Sequence, residues 1–291
     1  MTFPAMSTTP MLVLALLFAA PAQALTPRAF AARLAALEAR HGGRLGVAAL
    51  DTGTHKRLTH RATERFALCS TFKVALVAAV LARVDGGQET LERPVAYGPS
   101  DLLEYAPVTR LHVGEGSMSI AALCAATLEQ SDNTAANLLL NTLGGPGRVT
   151  EYLRTQGDTV TRLDRNEPSL NSNLPGDPRD TTTPEAMLET LQRILAGPAL
   201  SPASRQRLEG HLIACTTGAK RLRAGLPPTW RVGDKTGSGS RGATNDIAIL
   251  WPPGRPPIFV VAYYTDATAP AQEREAVLAE VGQLVATTFS K

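Results

Sequence analysis

Apolar residues follow two kinds of pattern along this chain, and each kind occupies its own part of the sequence. Short runs of strand length lie near both ends, at residues 45–50, 56–59, 231–236, 243–251 and 258–265. The last three runs are joined by short turns. Because a short link joins neighbouring strands most easily as a hairpin, these runs predict antiparallel pairing.

Helical patterns fill the region between these runs and also flank them. Residues 74–81 are apolar on every face, which predicts that the helix from Ser70 to about Asp85 is buried. Further helices are expected at residues 27–41, 117–128, 132–143, 147–156 and 271–289, and after the Thr183-Pro184 and Ser201-Pro202 starts. Residues 161–181 have three prolines and no apolar periodicity, which predicts a long functional loop.

This distribution predicts an α/β protein with two lobes. Residues 25–68 and 213–291 would share an antiparallel five-stranded sheet flanked by helices. Residues 69–212 would form an all-helical lobe inserted between those two segments. We expect the active site between the lobes.

The first 24 residues are typical of an export signal. Residues 11–20 are apolar, and Ala22-Gln23-Ala24 forms a small-x-small cleavage site, although the preceding residues lack Lys and Arg. We expect cleavage near Ala24 and a periplasmic mature protein. The alternative, an N-terminal membrane anchor, is disfavoured because ten apolar residues are too few to span a bilayer.

Composition and spacing argue against several other classes of protein. The 291 residues carry a net charge of +3 with no basic run, so we expect no nucleic-acid partner, and no later segment could cross a membrane. The histidines lack H-x-H and H-E-x-x-H spacing and no C-x-x-C pair occurs. We therefore expect no metal and no other cofactor.

Ser70 and Lys73 are the first candidates for chemistry. Three residues apart in the first turn of a helix, they would lie side by side. A lysine at the start of an apolar helix is poorly solvated, which lowers its pKa towards that of a usable base. The free N–H groups of the same turn could stabilise an oxyanion. The alternative is a helix cap followed by a surface lysine.

Three further motifs are each weak alone. Ser131-Asp132-Asn133 begins a helix and could be a plain N-cap. Lys235-Thr236-Gly237-Ser238 ends a strand, where its polar groups could bind a carboxylate while Gly237 allows close approach, or could form an ordinary turn. Glu167 and Asn171 could hold a water molecule for general base catalysis. The alternative for Glu167 is a solvated loop carboxylate.

In this order and spacing, the four motifs together resemble the class A serine β-lactamases. The resemblance runs from about Leu25 to the C-terminus and includes DLLEYAPVTRLH at 101–112, SDNTAANLLL at 131–140 and TRLDRNEPSLN at 161–171. It implies the fold shared by these enzymes and the penicillin-binding transpeptidases. It also implies hydrolysis of the cyclic amide of penicillins and cephalosporins, resistance to β-lactams, and a monomer.

The resemblance implies a role for each catalytic residue. Ser70 would attack the lactam carbonyl, with its N–H and that of Ser238 as the oxyanion hole. Lys73 and Glu167 are both candidates for the base in acylation. Glu167 would then activate the water that hydrolyses the acyl-enzyme, and Ser131 would pass a proton to the departing ring nitrogen.

Binding and structural roles follow in the same way from the resemblance. The expected contacts are Lys235, Thr236 and Ser238 with the substrate carboxylate, Asn133 with its side-chain amide, Asn171 with the hydrolytic water, and Tyr105 at the cleft entrance. Arg165 and Asp180 would pair across the neck of the 161–181 loop. The alternative for that pair is a surface bridge worth less than about 1 kcal/mol.

One departure concerns the guanidinium that binds the carboxylate. Many family members place an arginine on the strand after the K-T-G hairpin, where this chain has Thr244. Some members, including some carbapenemases, supply it from the segment before the Lys235 strand, and Arg221 matches that alternative. Otherwise Arg221 would be a solvated helix arginine.

Cysteine usage departs as well. Cys124 resembles a half-cystine position whose partner position is Val77 here, and Cys69 resembles one whose partner position is Gly239. We expect three free thiols, with a Cys69–Cys215 bridge as the alternative. Cys69 and Ser238 together resemble the extended-spectrum and carbapenemase branches, which implies good cephalosporin turnover and makes carbapenem hydrolysis a hypothesis.

Two other functions fit part of the same sequence. A penicillin-sensitive D,D-peptidase would share the serine, the lysine and the K-T-G strand, but it would lack Glu167 and Asn171 as a means of hydrolysing the acyl-enzyme. A catalytically inactive binding protein on this fold would have lost one of the catalytic groups, and this chain has them all.

Overall fold

The computed structural model describes residue 1 and residues 25–289. Apart from Met1, the expected signal peptide at residues 1–24 lies outside the described residues. In the part of the chain that the structure describes, no helix is long and apolar enough to cross a membrane.

Strands and helices occupy most of the positions that the sequence patterns predict. The strands are β1 (Arg44–Asp51), β2 (Arg57–His60), β3 (Phe66–Ala67), β4 (Pro94–Ala96), β5 (Ser117–Ser119), β6 (Thr181–Thr182), β7 (Arg231–Ser238), β8 (Thr244–Trp251) and β9 (Ile258–Thr265). The helices are α1 (Pro27–His41), α2 (Phe72–Asp85), α3 (Thr109–His112), α4 (Ile120–Glu129), α5 (Asn133–Leu143), α6 (Pro146–Thr155), α7 (Pro184–Ala196), α8 (Pro202–Ile213) and α9 (Ala271–Phe289). Short 3₁₀ turns lie at Cys69–Thr71, Pro99–Asp101, Val113–Glu115, Ser169–Asn171 and Leu222–Gly225.

The central sheet has five antiparallel strands in the order β2-β1-β9-β8-β7, as the hairpin spacing predicts. Its strands read as nearly continuous apolar runs because both faces are covered. Val47 and Val260 lie on the face that packs with α1 and α9. Phe259 and Val261, at alternate positions, belong to the core that the middle helices form on the other face. Class and sheet are therefore as expected.

Helix α2 is the centre of that second core. Every residue from Phe72 to Leu81 is buried, because α4, α5, α6 and α8 all pack around it. This confirms the interpretation of the run at 74–81 as a helix without a solvent-facing side. It also means that Lys73 enters the interior with the helix.

Local capping chemistry sets several helix boundaries. Thr26, Asp132, Thr183 and Ser201 each accept a hydrogen bond from a backbone N–H in the first turn of α1, α5, α7 and α8. The 161–181 segment has only the 3₁₀ turn Ser169–Asn171 before β6, so it is the long loop that its prolines predict.

Two predicted boundaries are wrong. The prediction that Ser117 caps a helix fails, because Ser117–Ser119 pairs as β5 with β4 and the hydroxyl of Ser119 accepts from Ala122 N at 3.2 Å instead. Ser70 also precedes α2 rather than lying in its first turn. It sits in the 3₁₀ turn Cys69–Thr71, and α2 begins at Phe72.

Candidate active site

A cavity of about 310 Å³ opens where the Ser70 turn, the α4–α5 connection, the 161–181 loop and β7 meet. Its lining consists of Ser70, Tyr105, Ser131, Asn133, Asn171, Thr217, Arg221, Thr236, Gly237 and Ser238. Except for Thr217, each of these residues is a candidate from the sequence. Three further candidates, Lys73, Glu167 and Lys235, are buried behind this lining. Glu167 contacts Ser70, and the two lysines contact Ser131.

The Ser70 turn is held against β7 at very short range. A Cβ atom at Gly237 would lie 3.0 Å from Leu68 O and 3.2 Å from Ser70 N, so a side chain there would press on the backbone of the turn. From β8, Asn245 Nδ2 donates to Ala67 O at 2.9 Å and to Leu68 O at 3.3 Å. The nucleophile is therefore fixed by the sheet as well as by α2.

Two non-glycine residues beside the catalytic hydroxyls have left-handed backbone angles. Cys69, next to Ser70, has φ 45°, and Ser131 has φ 57°. Such angles are unfavourable for residues with a side chain and persist where the surroundings enforce them. They aim both serines into the cavity region.

Lys73 connects the nucleophile turn to the Ser131-Asp132-Asn133 motif. Its Nζ donates to Ser131 O at 2.8 Å and to Asn133 Oδ1 at 2.6 Å, and it lies 3.3 Å from Ser131 Oγ. Nζ also lies 3.2 Å from Glu167 Oε1. Because burial penalises the ammonium form, the pKa of Lys73 is lowered, although the Glu167 carboxylate partly opposes this shift.

Glu167 reaches the nucleophile from the 161–181 loop. Ser70 Oγ donates to Glu167 Oε1 at 3.2 Å, and Asn171 Nδ2 donates to Oε2 at 2.6 Å. Asn137 on α5 fixes the Glu167 backbone from both sides, donating to its O at 2.9 Å and accepting from its N at 3.0 Å. One carboxylate therefore faces the serine, the lysine and the amide.

Lys235 is the second lysine that contacts Ser131, in addition to Lys73. Its Nζ donates to Ser131 Oγ at 2.9 Å and to Thr236 O at 2.8 Å. Burial, with a smaller contribution from the charge of Lys73, lowers the pKa of Lys235 to about 7. The Ser131 hydroxyl thus lies between two buried amines, which suits a group that relays protons.

The expected pair at the neck of the loop is present and buried. Arg165 Nε donates to Asp180 Oδ2 at 2.5 Å, while the backbone N–H groups of Asp164 and Arg165 donate to Oδ1 at 2.7 and 2.9 Å. Asp180 is 0% exposed. A surface bridge, the alternative for this pair, is therefore excluded by the burial of the carboxylate.

Tyr105 lies at the rim of the cavity and is 49% exposed. Its hydroxyl donates to Gln130 O at 3.2 Å, and its own carbonyl accepts from Asn133 N at 3.1 Å. Asp132, fully buried, anchors this segment by accepting from the N–H groups of Val108 and Thr109, each at 2.9 Å.

Most of the chain resembles known proteins. It matches the model of the Beta-lactamase enzyme family over residues 29–289. It is also 50% identical to beta-lactamase CTX-M-8 of Citrobacter amalonaticus over 253 residues, which are 87% of each chain. The chain belongs to the class A β-lactamases.

Solved structures agree with this family. An ancestral (GNCA) class A β-lactamase shares 60% identity and a TM-score of 0.88 with this β-lactamase, covering 89% of this chain and 100% of that one. The putative class A β-lactamase PenP of Rhodopseudomonas palustris shares 54% identity and a TM-score of 0.87, covering 89% and 98% of the two chains. A further curated relative is beta-lactamase OXY-2 of Klebsiella oxytoca, 46% identical over 87% of each chain.

In this β-lactamase, Arg221 reaches the cavity and Thr244 does not. Arg221 Nη2 donates to Ser238 Oγ at 2.7 Å, and Nη1 donates to Gly237 O at 2.8 Å. Its Nε faces Glu275 at 3.4 Å. Thr244 is 2% exposed on β8 and accepts from Arg274 at 3.0 Å. The alternative that Arg221 is a solvated helix arginine is therefore wrong.

All three cysteines of this β-lactamase are free thiols, as expected, and no Cys69–Cys215 bridge forms. Cys69 is fully buried beneath the hairpin, and burial raises the pKa of its thiol to about 12. A neutral thiol at this place fills space beside the nucleophile turn without adding charge.

Sequence patterns missed several residues that shape the β-lactamase site. Asn137, Asn245 and Thr217 carry no local signal, because their partners lie far away along the chain. Thr217 lines the cavity and shares a hydrogen bond of 2.6 Å with the hydroxyl of Thr236. Its position shortly before Arg221, in the segment that precedes the Lys235 strand, is the available clue.

Proposed function

We propose that this class A β-lactamase hydrolyses penicillins and cephalosporins through an acyl-enzyme on Ser70. The observation that carries the proposal is the position of Glu167 Oε1, which lies 3.2 Å from both Ser70 Oγ and Lys73 Nζ. As a member of its family, the protein is a hydrolase acting on β-lactams and supports resistance to them.

In acylation, Ser70 Oγ bonds to the lactam carbonyl carbon and the carbon–nitrogen bond of the ring breaks. Glu167 Oε1 is within hydrogen-bond reach of the proton that Ser70 must lose, and Lys73, in contact with that oxygen, is the other candidate base. The ring nitrogen takes its proton from Ser131, which Lys73 and Lys235 can reprotonate.

Deacylation needs a water molecule held beside the ester. Glu167 and Asn171 supply a carboxylate and an amide joined at 2.6 Å, and Asn171 Oδ1 is buried with no hydrogen-bond partner in the described part of the chain. That oxygen is available to accept from a water molecule whose proton Glu167 takes. This pair distinguishes a hydrolase from a lactam-inhibited D,D-peptidase.

The substrate carboxylate would bind at the end of β7. Lys235, Thr236 and Ser238 converge there, with Arg221 adding a guanidinium through its contact with Ser238. Asn133 and Tyr105 lie on the other rim, where the side-chain amide and the outer part of the substrate would rest. Cys69 and the Ser238 hydroxyl lead us to expect good cephalosporin turnover. Carbapenem hydrolysis is a hypothesis that the missing Cys69 bridge disfavours.

The proposal includes the wider setting of the enzyme. We infer that the cleft separates an α/β lobe, residues 25–68 and 213–291, from a helical lobe, residues 69–212. We also infer that the enzyme is exported to the periplasm, with its signal removed near Ala24, and acts there as a monomer on small molecules. Size-exclusion chromatography of the secreted protein and its N-terminal sequence test these points.

The decisive experiment is Glu167→Ala in the purified mature protein, followed by mass spectrometry with a penicillin. We expect the acyl-enzyme to accumulate, with turnover lowered about 10³-fold, because a positioned general base contributes about 10²–10⁴-fold. Glu151→Ala, which removes an exposed carboxylate, should turn over normally. Full turnover by the Glu167 variant, or no acylation of Ser70 in either protein, would refute the proposal.

A further inference from the structure

The 161–181 loop meets the hairpin between β7 and β8 at a small junction outside the catalytic groups. Asn173 Nδ2 donates to Ser240 O at 3.0 Å and to Thr265 Oγ1, at the end of β9, at 2.7 Å. A third bond runs in the opposite direction, from Ser240 N to Asn171 O at 3.0 Å. One amide thus connects the loop to two elements of the sheet.

The backbone at this position explains why an asparagine serves here. Asn173 has φ 47°, in the left-handed region that asparagine tolerates better than most residues with a side chain. Its amide has two N–H donors, and the two bonds use both of them. Thr265 is 2% exposed, so the second bond is shielded from water.

The junction lies next to the chemistry. Asn171, two residues before Asn173, donates to Glu167 at 2.6 Å and accepts from Ser240. A Cβ atom at Gly239 would lie only 2.9 Å from Asn171 O, so hairpin and loop touch without spare room. Asn171 and Ser238, on the two sides of this contact, both line the cavity.

We propose that Asn173 is a positioning residue that clamps the Glu167 loop to the β7–β8 hairpin. The clamp sets the rate of deacylation, because it fixes Asn171 and through it the carboxylate of Glu167. It also keeps the loop and the hairpin in contact at the edge of the cavity, which limits the room between Asn171 and Ser238. The clamp thereby selects against β-lactams with bulky side chains. The inference rests on the proposed function.

Loss of the clamp should affect the two chemical steps differently. Ser70, Lys73 and Lys235 are held by α2, β7 and the Ser131 turn, none of which uses Asn173. Acylation should therefore change less than threefold. Two lost hydrogen bonds of ordinary strength correspond to about a tenfold effect, which we expect to fall on deacylation.

The test uses Asn173→Gly, which keeps the left-handed backbone and removes both bonds, and Thr265→Val, which removes one acceptor and leaves the loop sequence intact. The control is Asn141→Asp, a change at an exposed asparagine of helix α5 that takes no part in the junction. Asp is chosen there instead of Gly because Gly would disturb the helix. Single-turnover acylation and deacylation rates are measured with a small penicillin. The ratio of kcat/KM for a bulky cephalosporin over that penicillin is measured in parallel.

We expect deacylation to fall about tenfold in Asn173→Gly and about threefold in Thr265→Val, with the bulky-to-small ratio rising in both. In the double variant, the effect of Thr265→Val should disappear. Unchanged deacylation and an unchanged ratio, even with a lower Tm, would show a merely structural residue and overturn the inference. If Glu167→Ala also failed to trap an acyl-enzyme, the proposed function would be at fault instead.

Discussion

The catalytic candidates around the cavity fall into two groups, called here the two sides, that are held in different ways. On one side, Lys73 and Lys235 are fully buried on α2 and β7, and Ser70 lies in the turn that precedes α2 and packs against β7. On the other side, Glu167 lies on a loop with a single 3₁₀ turn. That loop is positioned by a few side chains, chiefly Asn137 and Asp180.

This difference predicts that acylation and deacylation respond differently to substitutions. In the proposed mechanism, the groups that make the acyl-enzyme are carried by packed helices and strands, so disturbing one of them disturbs the core. Glu167, proposed to remove the acyl group, depends on hydrogen bonds that can be lost one at a time. Hydrolysis should therefore be easier to damage, and easier to modify, than acylation.

After Glu167→Ala, the largest expected effect comes from Asp180→Ala. It leaves Arg165 and two backbone N–H groups without their buried acceptor, and removing one partner of a buried ion pair costs about 3 kcal/mol or more. The lost bonds hold the neck of the loop that carries Glu167, so we expect the cost to fall on the position of Glu167 and to slow deacylation by up to about 100-fold, since 1.4 kcal/mol corresponds to tenfold, while acylation stays within a few-fold. Pre-steady-state mass spectrometry separates the two rates.

Asp177→Ala is the matched control for this prediction. Asp177 pairs with the exposed Arg179 at 2.8 Å and lies 3.8 Å from Arg165, too far for a hydrogen bond, so its loss should leave both rates nearly unchanged. Equal slowing of acylation and deacylation in Asp180→Ala would contradict the independence of the two sides.

The next effect concerns the pH dependence of kcat/KM and the charge of Lys235 on β7. Only protonated Lys235 attracts a substrate carboxylate, and its pKa of about 7 means that the free enzyme loses this charge as pH rises through neutrality. Above that point, kcat/KM should fall by up to about tenfold per pH unit. The charged form is retained at lower pH, so this loss belongs to the alkaline limb alone.

Lys235→Arg checks the assignment, because a guanidinium stays protonated throughout this range. We expect its alkaline limb to flatten, at the cost of a higher KM. An alkaline limb with the same midpoint in both proteins would show that another group, such as Lys73, controls it.

The smallest of these effects is expected for Arg221→Ala. Arg221 is 7% exposed, and its guanidinium donates to Gly237 O and Asn245 O as well as to Ser238 Oγ. Loss of one charge-assisted bond at the substrate side, worth about 1.5 kcal/mol, should raise KM about tenfold with kcat little changed. Lys220→Ala removes the neighbouring exposed cation and should have no such effect. A fall in kcat with unchanged KM would mean that Arg221 supports the β7 backbone rather than the substrate.

Sequence patterns predicted best what local chemistry decides. Capping hydroxyls and carboxylates marked the starts of α5, α7 and α8, and a run apolar on all faces marked α2 as buried. The prediction that Ser117 caps a helix is wrong because residues 117–119 pair with the distant strand β4, so the cap is Ser119 instead. Such competition between local and long-range bonding is not visible within a short window.

The site shows the same limit. The motif residues were predictable because their chemistry and order resemble a known family. Asn245 was not, since its partners Ala67 and Leu68 lie 178 and 177 residues away, and Asn137 was not, since Glu167 lies 30 residues away. An asparagine in a strand or a helix shows its partner only once the chain is folded.

Two glycines of the β7–β8 hairpin differ in what a side chain would displace. At Gly237 the nearest atoms to an added Cβ, in the Ser70 turn, lie at 3.0–3.2 Å and would have to give slightly. At Gly239 the Cβ would lie 2.7 Å from Cys69 Sγ and 2.9 Å from Asn171 O, so the thiol and the loop backbone would have to move. A substitution at Gly239 would therefore reach the Glu167 loop through its backbone, without any contact inside the cavity.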